Sequence, residues 1–152
     1  MDFQISPANI SDLKAILDLQ KDCYKSEADI YNDYEIPPLK QDIESIENEF
    51  KTSTILKGLV NGQIVASVRG FSDNDTCLIG KLIVKTGFQN MGLGHKMMDS
   101  IELVYKDCKR FELFTGHKSL KNLHLYNKQG YNEFKREVVN NNMTMIYMEK
   151  QK

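Results

Sequence analysis

The sequence predicts one α+β domain spanning residues 1–152, and three observations lead there. The chain runs through 152 residues without an internal repeat, a low-complexity tract or a linker. That length suits one domain, which buries roughly two-thirds of its unfolded surface. Asn61-Gly62 sits between two apolar runs, the turn chemistry of a type I′ β-hairpin. Further on, an apolar strand ends in a glycine-bearing loop that opens directly into a long amphipathic helix. The expected order of elements is β-α-α-β-β-β-α-β-α-β-β.

Phe3 to Ser6 is a short strand. Asn9 or Ser11 can cap a first helix, because Leu13, Ile16, Leu17 and Leu19 recur near helical spacing. Tyr24 to Leu39 is richer in tyrosine and acid, and Pro37-Pro38 is expected to stop any helix within it. A second helix is predicted over about Leu39 to Phe50, with Ile43, Ile46 and Phe50 on one side. Thr54 to Val60 and Gln63 to Phe71 form the hairpin around Asn61-Gly62; Ser72-Asp73-Asn74-Asp75 is a further turn, and Thr76 to Lys85 the next strand. The third helix begins near Gly92. Its inward positions Leu93, Met97, Met98, Ile101, Val104 and Tyr105 follow the 3.6 period, although Leu103 falls off that stripe. Phe111 to Thr115 is a strand and Lys118 to Lys128 a helix. Tyr131 to Val139 and Met143 to Glu149 close the chain as a hairpin whose linker, Asn140-Asn141-Asn142, tolerates left-handed backbone.

Composition narrows the function classes. Hydrophobic residues make up 41% and charged residues 27%, with a net charge of −1. Both signs are interspersed, so nothing resembles the footprint of a nucleic-acid or anionic-membrane binder. No apolar run approaches the roughly 20 residues of a membrane span, and the N-terminus lacks the pattern of a secretion signal. Cys23, Cys77 and Cys108 are odd in number and widely spaced, which suits reduced cytoplasmic thiols better than a disulfide framework. His95, His117 and His124 lack metal-ligand spacing, and no metal is expected. These features predict a cytoplasmic location.

The informative segment is Leu82 to Gly94, reading Leu-Ile-Val-Lys-Thr-Gly-Phe-Gln-Asn-Met-Gly-Leu-Gly. The first amides of a helix have no intrahelical partner and the helix dipole favours negative charge, so such a loop can grip a phosphate. A Walker loop needs lysine and then serine or threonine after its second glycine, but Leu93 and Gly94 follow Gly92. A dinucleotide fingerprint needs a third small residue at position 97, where Met97 stands. The remaining pattern is Gln/Arg-x-x-Gly-x-Gly/Ala, present as Gln89-Asn90-Met91-Gly92-Leu93-Gly94.

Entered from the strand end at Val84, this pattern resembles motif A of the GNAT superfamily of N-acetyltransferases. A second block resembles motif B of the same superfamily: Phe111 to Thr115, then Ser119, then Leu125-Tyr126-Asn127-Lys128-Gln129-Gly130-Tyr131. Order, separation and flanking hairpins agree, so the resemblance covers nearly the whole chain. It implies a three-layer α/β/α fold around a mixed, mostly antiparallel, splayed sheet of six to seven strands. It also implies acetyl-CoA as cosubstrate, with no metal. The pantetheine arm would lie between the fourth and fifth strands, against the backbone of Leu82, Ile83 and Val84. Amides of Gln89, Asn90, Met91, Gly92, Leu93, Gly94 and His95 would cradle the pyrophosphate.

Motif B further implies that Tyr126 protonates the departing CoA thiolate; an ordinary phenol, with a pKa of about 10, keeps its proton at neutral pH. Ser119 stands where the motif has asparagine, and Asn122, one helical turn on, could substitute in binding the cosubstrate. Some relatives carry a glutamate base on the fourth strand, but Leu78 to Val84 has only Lys81 as an ionisable group. A base must then come from elsewhere, from an ordered water, or from none if the amine arrives neutral; Glu27, Glu35 and His117 are candidates. In relatives the segment between the first two helices lines the acceptor pocket. Here it mixes Glu27, Asp29, Asp33 and Glu35 with Tyr24, Tyr31 and Tyr34, a set that favours a cationic amine. The expected reaction is direct attack of a bound primary amine, from a small molecule or a protein, on acetyl-CoA. Two rivals stay open: a non-catalytic acyl-CoA-binding or sensing domain, and an interaction module using the fold as scaffold. The resemblance also allows a homodimer, for which no residue pattern argues.

Overall fold

The computed structural model describes residues 1–152. A seven-stranded sheet runs through the molecule in the order β1-β2-β3-β4-β5-β7-β6. The strands are β1 (Phe3–Pro7), β2 (Thr54–Val60), β3 (Gln63–Asp73), β4 (Thr76–Val84), β5 (Arg110–Gly116), β6 (Asn132–Val138) and β7 (Thr144–Gln151). The helices are α1 (Leu13–Tyr31), α2 (Pro37–Lys40), α3 (Ile43–Phe50), α4 (Leu93–Val104) and α5 (Leu120–Lys128), and a 3₁₀ turn over Ile10–Asp12 precedes α1. Every neighbouring pair of strands is antiparallel except β4–β5, which is parallel. The sheet is thus mixed and mostly antiparallel, as the motif resemblance implies. No helix is long and apolar enough to cross a membrane.

Helices cover both faces, because successive side chains of a strand point to opposite sides. A Cβ on Gly70 of β3 would meet Tyr105 and Ile101 at the end of α4. Its neighbour Arg69 reaches the other way, to Gln20 of α1 and Glu49 of α3. The larger core packs Met97, Met98 and Ile101 of α4 on Val68, Phe111, Leu113 and Met148 of the sheet. A second cluster under α1 and α3 unites Leu13, Ile16, Leu17, Ile46 and Ile55.

Four expectations need correcting. The segment from Tyr24 does not lie between helices at its start; the first helix continues to Tyr31 and stops at Asn32 in a left-handed conformation (φ 49). Ala28 and Tyr31 are buried against Ile36 and Met143, and that burial extends the helix through an acid-rich stretch. Pro37 does not stop a helix but starts one, since at the first helical position its missing amide costs nothing. The predicted Leu39–Phe50 helix is therefore split, and Asp42 caps α3 by accepting from the Ser45 amide. Val104 is exposed rather than inward, because α4 ends there and Tyr105 turns back to bond Gly70 O and Thr54 Oγ1. The Asn140–Asn142 linker uses no left-handed residue; instead Asn140 Oδ1 accepts from the amides of Asn142 and Met143.

Two irregularities in β4 open the sheet. Ser67 pairs with Ile83 but Arg69 with Gly80, so β4 carries one extra residue in a bulge, with Lys81 left-handed (φ 53). On its other side β4 pairs with β5 only from Thr76 to Leu78. Beyond Leu78 the two strands share no ladder, while β5 stays paired with β7 up to Gly116. The strands part there like a V.

Candidate active site

The open edge of β4 is the first part of the site. The Lys85 amide donates to Val65 O across the β3–β4 ladder, so by antiparallel alternation Val84 turns its polar backbone groups away from β3 and into the V. Its carbonyl accepts from Gln89 Nε2 (3.0 Å) and, at 3.5 Å, from the Cys23 thiol. Leu82 and Val84 are half-buried beside the gap, whereas Ile83 is buried in the sheet.

Between β4 and α4 the chain turns tightly. Phe88 N donates to Lys85 O, and Gly87, Asn90 and Gly92 all take positive φ (98, 62 and 79). Gly92 is the N-cap of α4 and offers no side-chain cap, so the amides of Leu93, Gly94 and His95 lack helical partners. The side chains of Gln89, Asn90 and Met91 are exposed; the backbone is the part this loop presents. A Cβ on Gly94 would lie 2.6 Å from Leu125 Cδ1, and that close approach brings α5, with Tyr126, up to the start of α4. His95 Nδ1 and Gln129 Oε1 are 2.8 Å apart, and Gln129 Nε2 donates to Asp99, tying the two helices together again.

Beside the V lies a cavity of about 640 Å³, walled by α1, α2, β3, β4, β5 and α5. Tyr126 is only 7% exposed and its hydroxyl, unlike that of Tyr31 or Tyr105, has no hydrogen-bond partner in the protein. The residue lines this cavity. Burial pushes the Tyr126 phenol well above its ordinary pKa, with Tyr24 and Glu27 adding to the effect. The proton therefore stays on a donor that the protein itself leaves unused.

Glu27 stands on the same wall, and its position is fixed by a chain of donors. Asn122 Nδ2 donates to Glu27 Oε1 (3.2 Å) and Ser119 Oγ to Glu27 Oε2 (2.6 Å). Ser119 has a single proton, so Tyr31 must be the donor in the 2.7 Å contact between their hydroxyls. Tyr31 in turn accepts from the Lys118 amide. A Cβ on Gly116 would collide with the Tyr31 hydroxyl; only glycine leaves room for this chain. Asn122 also reaches Thr115 Oγ1 (3.4 Å). Ser119 and Asn122 thus turn their donors to Glu27.

The other acid and base candidates separate clearly. Glu35 is at the cavity edge but exposed, and pairs with Lys40 at 2.9 Å. His117 Nδ1 accepts from the Thr144 amide (2.9 Å), and the ring does not line the cavity. Sequence reasoning missed Arg69 altogether, which is 3% exposed and lines the cavity. Its guanidinium donates to Glu49 (2.9 Å), Gln41 (3.1 Å) and Gln20. A lone arginine inside the apolar run Ile64 to Phe71 was the available signal.

The sequence profile of the Acetyltransferase (GNAT) family matches residues 13–131, which include β4, the α4 loop and Tyr126. The chain belongs to the GNAT acetyltransferase family. Among solved structures, this GNAT domain is similar to the PaiA N-acetyltransferase from Thermoplasma acidophilum in complex with coenzyme A. The TM-score is 0.84 at 15% identity, over 100% of both chains. It is similar to an acetyltransferase of the GNAT family from Staphylococcus aureus Mu50, with a TM-score of 0.81 and 20% identity over 99% of each chain. The ribosomal-protein-S18-alanine N-acetyltransferase from Escherichia coli gives 0.80 at 15% identity, over 99% of this GNAT chain and 94% of that one. At these identities the likeness concerns the fold. A comparison with curated proteins found no match.

Proposed function

We propose that this GNAT domain transfers an acetyl group from acetyl-CoA to a primary amine by direct attack within a ternary complex. The observation that carries the reading is the opening between β4 and β5, which lies next to an uncapped helix N-terminus and has an unpartnered Tyr126 hydroxyl on the adjoining cavity wall. An extended pantetheine arm fits such an opening as an added strand would, running along Leu82, Ile83 and Val84 and pairing with the backbone groups there that face away from β3. The Val84 amide is the group to expect, since its carbonyl already serves Gln89 and Cys23. The pyrophosphate would take the amides from Gln89 through His95. Asn122 Oδ1, which has no partner in the protein, would accept from an amide of the arm, and Ser119 keeps one acceptor lone pair.

Chemistry follows from the two groups on the cavity wall. The amine lone pair attacks the thioester carbonyl, the carbon–sulfur bond breaks, and the sulfur leaves with its electron pair. Tyr126 donates a hydrogen bond to the developing thiolate; its raised pKa makes it a charge-stabilising donor more than a strong acid. Glu27, the acid held on the cavity wall by Ser119 and Asn122, accepts the proton lost by the amine. Glu27 carries negative charge and Tyr24 offers an aromatic face, so a cationic amine is drawn in and then deprotonated where it reacts. Isothermal calorimetry with acetyl-CoA, followed by thiol release with a panel of amines, tests the reading. Heat of binding together with amine-dependent release supports it; binding without release on any amine favours the non-catalytic acyl-CoA-binding domain.

A further inference from the structure

The cavity has two unlike ends. Around Glu27, Asn122 and Tyr126 it is acidic and hydrogen-bonding; at the other end two cations, Arg69 and Lys81, stand with one carboxylate, Glu49. Tyr24 lies between them. Burial raises its phenol above the ordinary value, and Glu27 adds to the rise while Arg69 opposes it.

The cationic end is built, not incidental. Arg69 is nearly fully buried, its charge is matched by Glu49 at 2.9 Å, and its Nε–H has no partner anywhere in the protein. Lys81 is half-buried on the β4 bulge in a left-handed conformation that a non-glycine residue adopts at a cost. Its ammonium enters none of the ion pairs of the molecule; burial lowers its pKa, the Glu49 carboxylate opposes that, and Arg69 adds to it. An ordinary strand lysine would turn its charge to water. This one has no direct ion pair, the nearby Glu49 being engaged by Arg69, and it stands on the cavity wall one residue before Leu82, on strained backbone. An arriving anion would offset the remaining positive charge.

We propose that the acceptor carries a carboxylate beside its amine, and that Lys81, backed by Arg69, receives that carboxylate. The excess of one positive charge suits a monoanion; the Arg69 charge is already answered by Glu49. The substrate class is then a zwitterionic amine, an amino acid or short peptide in chemistry, with its amine turned toward Glu27. This rests on the acetyltransferase reading and narrows it.

The test supplies acceptors in matched pairs, each amino acid beside its own carboxamide, to the full-length protein with saturating acetyl-CoA. The carboxamide has the less basic amine, so intrinsic reactivity at neutral pH favours it. The expected result is the reverse, about a tenfold preference in kcat/KM for the acids, the scale of one partly screened ion pair. Lys81→Gln should collapse that preference through KM, and Lys81→Arg should retain it, with acetyl-CoA heat confirming that each variant is folded. Equal use of both series, a preference that survives Lys81→Gln, or no turnover of any acid by protein that binds acetyl-CoA overturns the proposal. Protein that binds no acetyl-CoA fails at the earlier step, and the acetyltransferase reading itself falls.

Discussion

Tyr126 and Glu27 share one wall but are held in opposite ways. Glu27 is fixed through Ser119 and Asn122 and behind them Tyr31, while the Tyr126 hydroxyl is left without a protein partner. A phenylalanine at 126 therefore keeps the packing and loses only the donor. Tyr126→Phe is expected to lower kcat by more than about tenfold, the range of a lost proton donor, with the acetyl-CoA dissociation constant nearly unchanged. Steady-state kinetics beside calorimetry would show it; an unaltered kcat removes the role. Glu27→Gln is expected to lower turnover of every amine, whereas Glu35→Gln, whose carboxylate is exposed and paired with Lys40, should not. Equal effects of the two would mean that general field, and not the position of Glu27, draws in the substrate.

Elements meet at this site because small residues let them. Gly116 ends β5 against Tyr31 of α1, and a methyl there must push away a buried ring that holds Ser119. Gly116→Ala is expected to destabilise by about 1–3 kcal/mol, the usual cost of overpacking, and to lower kcat with it. A denaturation midpoint equal to that of the wild type would show that Tyr31 yields freely. Elsewhere, the turn after β1 is pinned to β2 by Asp12, which meets Lys57 at 2.7 Å with both side chains mostly buried. The Lys57 ammonium first, and the Asn9 amide second, hold the Asp12 carboxyl below its ordinary value. A depressed carboxyl stabilises the fold above its unfolded pKa, near about 4, and that contribution is lost as pH falls through the folded value. Urea midpoints of the wild type and Asp12→Asn should accordingly differ at neutral pH and converge in acid. A gap that persists there would assign the effect to packing.

At the scale of the whole molecule, the parallel β4–β5 junction is the weak seam. Three register pairs join the strands before they diverge, and α4 adds to the join by sharing a core with both halves of the sheet, Met97, Met98 and Ile101 with Val68, Phe111 and Met148. A ligand that inserts along the opening supplies the missing ladder. Saturation with acetyl-CoA at a hundred times its dissociation constant is expected to stabilise the fold by about 2.7 kcal/mol. Hydrogen exchange should slow at the Val84 amide and at the first amides of α4, and not in β1 or β6. Protection spread evenly over all strands would indicate global stabilisation without insertion in the V.

Where chemistry is local, the sequence determined it unaided. Asn61-Gly62 specified its hairpin, the spacing of Met97, Met98 and Ile101 specified a buried helix face, and Gln89 to Gly94 specified a tight glycine-bearing turn into a helix, because each depends on residues within a few positions of one another. Tertiary structure alone decided that Ser119 serves Glu27 from 92 positions away, that α1 outruns its acid-rich stretch to Tyr31, and that Arg69 and Lys81 share a cavity. Those outcomes depend on which distant surfaces are buried together and which polar groups must then find partners, and neither leaves a periodic trace along the chain.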